Sequence, residues 1–156
     1  MGLDMYLYLR KSEYCGRWDK DYEEKKKGFY PEELEQFRID EHNFMSKETS
    51  YQVGYWRKAN AIHNWFVEDC ANGVDECQLI YVPLEKAKEL RNLCNRVLEH
   101  HELAEELLPT CSGFFFGDTE YDDWYFEDLK YTKDLLDKCI ELCDGSHYDI
   151  WYEASW

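Results

Sequence analysis

Cationic residues are scarce in this chain: 18 Lys and Arg stand against 34 Asp and Glu, a formal charge of −16 over 156 residues. Affinity for DNA or RNA comes chiefly from Lys and Arg that displace counterions around phosphates, so nonspecific nucleic-acid binding is not expected. Such acidity either keeps a protein soluble or offers an anionic face to a basic surface, with a nucleic-acid mimic as the extreme case. Long apolar runs are missing too, since no stretch approaches the roughly 18 residues needed to cross a bilayer. Met1-Gly2-Leu3-Asp4-Met5 has neither the basic start nor the apolar run of an export signal, and Tyr6 occupies the place where a myristoylation signal carries Ser or Thr. The seven cysteines, at 15, 70, 77, 94, 111, 139 and 143, include no CxxC pair and form an odd set, which fits reduced thiols in a cytoplasm. Internal repeats, the GxSxG elbow, the cysteine-protease signatures and the spacing of an EF-hand loop are also absent. No catalytic residue, metal ligand or cofactor is therefore assigned.

What the chain does have is aromatic and hydrophobic material, 17% and 44% of its residues, enough to fill one core. The expectation is a single α+β domain over 1–156: a small, largely antiparallel sheet covered by helices. Period-two alternation predicts strands near 3–10 and 148–155, and a short apolar run predicts another near 77–82. Helical spacing predicts helices near 31–40, 56–72, 83–100 and 119–144. Pro31 opens the first, with Leu34, Phe37 and Ile39 facing inward. Asn72-Gly73 closes the second, Pro83 opens the third, and Thr119 with Asp122 resembles a capping pair for the fourth, which Gly145 ends. The charged stretch near 11–27 reads as a loop or insertion.

Charge is distributed unevenly. Between Glu48 and Glu68 the only charged residues are Arg57 and Lys58, set among Trp56, Asn60, His63 and Trp65. Arg offers a planar fork to phosphate or carboxylate, Asn and His supply hydrogen bonds, and Trp supplies a stacking face. Placed on one helix, Trp56, Asn60 and His63 meet at spacings of four and three. The alternative is a helix whose indoles fill the core and whose cations pair with neighbouring carboxylates. A second block, Ser112-Gly113-Phe114-Phe115-Phe116-Gly117, precedes a helix start and adds Ser112, Gly113 and Phe115 to the candidate ligand-binding set. Nearby Asp118, Glu120, Asp122 and Asp123 oppose an anion there, and packing is the favoured reading of the phenylalanines, with the glycines allowing a tight bend. Carboxylates from Asp118 to Asp128 read as a solvated face before they read as a Mg²⁺ or Ca²⁺ site. Cys139 and Cys143, one turn apart, fall on an apolar stripe and read as core.

Three blocks carry a resemblance: Met1-Gly2-Leu3-Asp4-Met5-Tyr6-Leu7, Val53 to Asn60 with Ile62-His63-Asn64-Trp65-Phe66, and Leu108-Pro109-Thr110 with Ser112 to Gly117. On these the chain resembles a family of small uncharacterised proteins of bacteriophages and bacterial genomes. The resemblance implies a phage-associated setting in the cytoplasm of a bacterial host and no established activity. Asp118 departs from the small hydroxyl residue expected after Gly117.

Together these readings lead to a non-enzymatic binding protein that recognises a host protein or sequesters a small anionic, nucleotide-like molecule, in a setting suited to countering bacterial defence. An acidic mimic that inhibits a nucleic-acid-binding enzyme is the alternative, and a small metal-dependent hydrolase a further one. No membrane partner is expected, and homo-oligomerisation is left open.

Overall fold

In the computed structural model, which describes residues 2–38 and 44–156, the chain is α+β. In chain order the elements are β1 (Asp4–Gly16), α1 (Tyr22–Lys25), β2 (Phe44–Arg57), α2 (Asn60–Ala71), β3 (Ile80–Val82), α3 (Leu84–Glu99), α4 (Ala104–Leu107), α5 (Asp123–Cys143) and β4 (Tyr148–Ser155). Short 3-10 turns lie at Glu32–Phe37 and His101–Leu103. Two compact units emerge, Met1–Arg10 with Tyr51–Trp156, and Lys11–Ser50.

The sheet runs in the order β2-β1-β4-β3, so the first and last strands are its centre. Tyr81 of β3 lies opposite Trp151 of β4 in antiparallel register. Alternation decides which side is covered. Met5, Leu7 and Leu9 point into the core while Tyr6, Tyr8 and Arg10 do not, and Ile150, Tyr152 and Ala154 repeat the pattern in β4. Helices close the buried face. Ala87, Leu90, Cys94 and Val97 make the inner stripe of α3, which packs along α5 through the latter's Leu129, Leu136 and Cys139. Phe66 of α2 stacks on Tyr152, with ring centroids 4.1 Å apart. Where α5 approaches β2, the chain needs a glycine: a Cβ on Gly54 would stand 2.4 Å from Leu135 Cδ2 and 3.2 Å from Leu7 Cβ.

The smaller unit, Lys11–Ser50, has its own cluster of Cys15, Phe29 and Met45. Lys47 lies over the Phe29 ring and donates to the Phe29 carbonyl at 3.2 Å.

Several boundaries differ from the sequence expectation. Lys11–Gly16, expected in a loop, continue β1. β2 was absent from the expected set, and its last residues, Trp56 and Arg57, had been placed on a helix that begins only at Asn60. Near its end β2 buries only Gly54 and Trp56 while Gln52 is exposed, so the apolar alternation is thin. The alternate positions Thr49, Tyr51, Val53 and Tyr55 do carry the β-branched and aromatic signal of a strand. The run 77–82 shortens to Ile80–Val82, because Cys77 adopts φ of 55°. α5 starts four residues after Thr119, with Asp122 alone as its cap, accepting from the Tyr125 amide at 3.0 Å. The expected helix near 31–40 is a 3-10 turn, and Leu34 and Phe37 are 44% and 66% exposed instead of inward. Ile39 lies outside the described residues. The remaining helix ends fall where the sequence places them. Asn72 takes the left-handed conformation after α2, with the Gly73 amide bonded to the Val67 carbonyl, and Pro83 precedes α3.

Candidate binding cleft

The turn from β2 into α2 is tight, and its tightness opens a cleft. Lys58 sits in the left-handed region at φ 60°, and its amide is tied to the Leu3 carbonyl at 2.8 Å. Ala59 follows at φ −76°, ψ 68°, with the Asn60 amide donating to the Lys58 carbonyl at 2.8 Å, an inverse γ-turn. A left-handed lysine costs roughly 1–2 kcal/mol and needs support from its surroundings. Ala59 has no side-chain oxygen, so α2 begins without a side-chain cap. Ala61 and Ile62, in its first turn, line a cleft of about 350 Å³ beside Arg57 and Lys58. The opposite wall is built by Thr110, Gly117, Asp118 and Glu120 and by the start of α5, with Asp122, Trp124, Tyr125 and Asp128.

Asn60 holds these walls together. Its amide nitrogen donates to the carbonyls of Phe116 at 3.0 Å and Asp118 at 2.8 Å, and its oxygen accepts the Cys111 amide at 2.9 Å. One buried side chain thus fixes both arms of the 111–118 loop. Gly113 lets Phe116 fold against it, since a Cβ there would lie 2.6 Å from the ring, and the Phe115 carbonyl accepts the Leu3 amide at 3.1 Å.

The candidate residues from the sequence separate into two groups. Arg57, Lys58 and Asn60 line the cleft, with both cations exposed and, among the described residues, without an ion pair. Trp56, Trp65 and His63 are instead in the core at 2%, 6% and 2% exposure. The Trp56 indole donates to Thr132 Oγ1 at 2.9 Å. His63 Nδ1 lies 2.7 Å from the Tyr152 hydroxyl and Nε2 lies 2.9 Å from Asp75 Oδ2, whose other oxygen accepts the Trp156 indole. Burial raises the Tyr152 pKa well above the ordinary range, so the phenol keeps its proton. Both His63 nitrogens are engaged within the core. Ser112, Gly113 and Phe115 belong to the loop behind the wall and do not line the cleft.

Two lining residues stand out that the sequence reading had not singled out. Trp124 is 76% exposed at the rim. Its signal was an indole off the apolar stripe of α5. Asp128 is partly buried, and that burial, reinforced by Asp122 and Glu127, pushes its carboxyl up from 3.8 to about 6. The buried thiols are pushed the other way from reactivity: loss of solvation raises Cys94 to about 12 and Cys139 to about 11. Among the described residues, no three His, Cys, Asp or Glu side chains gather as a metal site.

No family model, curated protein or solved structure matches the chain.

Proposed function

We propose that this protein binds a small anionic molecule, of nucleotide size or less, in the cleft at the start of α2, and holds it without chemical conversion. The observation that carries this is the pair Arg57 and Lys58: exposed, unpaired among the described residues, and beside the uncapped end of a 12-residue helix. The helix dipole and the amides of Ala61 and Ile62, which have no backbone partner among the described residues, favour negative charge at that point, and Arg supplies a planar fork for phosphate or carboxylate. The cleft volume lies at the lower end of the range for small-molecule sites. The setting is proposed on the sequence resemblance alone: a phage-associated protein that sequesters a host metabolite or recognises a host protein in the bacterial cytoplasm.

Calorimetric titration with AMP and inorganic pyrophosphate tests the reading. Wild type should bind at least one of them, and the double variant Arg57→Ala/Lys58→Asn should lose about tenfold or more in affinity while melting as a folded protein. Asn is chosen at 58 because it tolerates the left-handed conformation. Equal affinity in the double variant would remove the site.

A second reading has its own observation: Asp118, Glu120, Asp122 and Asp123 are all exposed along one short stretch. Such a face suits docking on a basic groove of a nucleic-acid enzyme. That mode of binding weakens steeply with salt, whereas a ligand enclosed in the cleft is less sensitive.

A further inference from the structure

We infer that the ligand of this cleft is a zwitterion, its anionic group held at Arg57 and Lys58 and its ammonium group held at the Asp128 wall beside Trp124. The inference rests on the anion-binding reading above and narrows it. Opposite charges line the same cleft without closing on each other: no pair between Arg57 or Lys58 and Asp118, Glu120, Asp122 or Asp128 comes within the 4.0 Å of an ion pair. Elsewhere some cations of this chain do find carboxylates, Lys86 with Asp69 and Glu89, Arg91 with Asp137, while others such as Arg96 form no ion pair among the described residues. What the cleft adds is that both signs line one enclosed space.

A purely anionic ligand would set its charge against four carboxylates, and a purely cationic one would meet Arg57 and Lys58. Only a molecule with both signs satisfies both walls. Asp122 is already engaged as the cap of α5, and the Asp118 carboxylate accepts the Glu120 amide. Asp128 is different. Among the described residues its side chain receives no hydrogen bond although it is partly buried, so a donor from the ligand would restore what burial removes. Trp124 offers an open indole face for an ammonium or its attached methylenes. The anionic group can be phosphate or carboxylate, because both suit the same cationic end.

Calorimetry on the full chain near neutral pH separates these cases with four probes: O-phosphoethanolamine against inorganic phosphate, and β-alanine against propionate. At least one zwitterion should bind about tenfold more tightly than its partner lacking the ammonium, and the pair that shows the gain tells phosphate from carboxylate. Asp128→Asn should abolish that preference. Trp124→Ala, at an exposed position with little bearing on folding, should reduce it. If inorganic phosphate or propionate binds as tightly as its zwitterion, or Asp128→Asn leaves the preference intact, the inference is overturned while the anion site stands. If no probe shows binding that depends on Arg57, both fall.

Discussion

Replacing Asn60 by Ala would strand the Cys111 amide and the Phe116 and Asp118 carbonyls in a place where water replaces them poorly. Each lost bond with an unsatisfied buried partner costs about 1 kcal/mol or more, so the variant should be destabilised by about 2–3 kcal/mol in urea unfolding. A loss within the scatter of surface substitutions would show that the 111–118 loop is held by something else. Lys58 carries the opposite prediction. Glycine removes the left-handed penalty at the cost of extra freedom in the unfolded chain, so Lys58→Gly should stabilise by roughly 0.5–1 kcal/mol. Asp128 makes stability depend on pH. Its folded-state pKa lies near 6, above the ordinary 3.8, so the folded chain holds this proton more tightly than the unfolded chain does. That contribution is fully present below 3.8 and is lost as pH rises through about 6. Asp128→Asn should then raise stability by about 1 kcal/mol above pH 6, discounted for partial exposure, with the gain fading in acid. Urea midpoints across pH check it, and an Asn variant less stable at high pH would contradict it.

Among the elements, those with a clean period were legible from sequence and those whose inward positions are glycine or polar were not. The stripe Ala87, Leu90, Cys94, Val97 announced α3, and alternation announced β1 and β4. β2 was hidden because its buried positions near the end are only Gly54 and Trp56, and the glycine is there for a helix that the sequence cannot bring close. Missing that strand displaced the candidate site. On a helix, Trp56 and His63 would meet Asn60 beside the face that carries Arg57, but at the end of β2 the indole turns into the core and the guanidinium stays outside. The cation pair was legible as a local reversal of charge. The wall opposite it was not, because Trp124 and Asp128 reach the cleft only through the packing of α5. Gly54→Val tests that packing. A branched side chain must displace Leu135 and press on Leu7, with an expected cost of about 1–3 kcal/mol. Thermal unfolding that matches wild type would mean that α5 can shift away from the sheet.

For the molecule as a whole, a charge of −16 repels anions at a distance, so a bound anion must be drawn by local geometry. Arg57, Lys58 and the α2 amides supply that geometry in one place, and the carboxylates opposite restrict which anions fit. The account therefore stands on location more than on affinity. The most direct measurement is an amide NMR titration of the ¹⁵N-labelled protein with inorganic pyrophosphate. The account predicts that saturable shifts concentrate on Lys58, Ala61, Ile62 and Gly117. No shifts, or shifts centred on the Lys11–Ser50 unit or on α3, would contradict it.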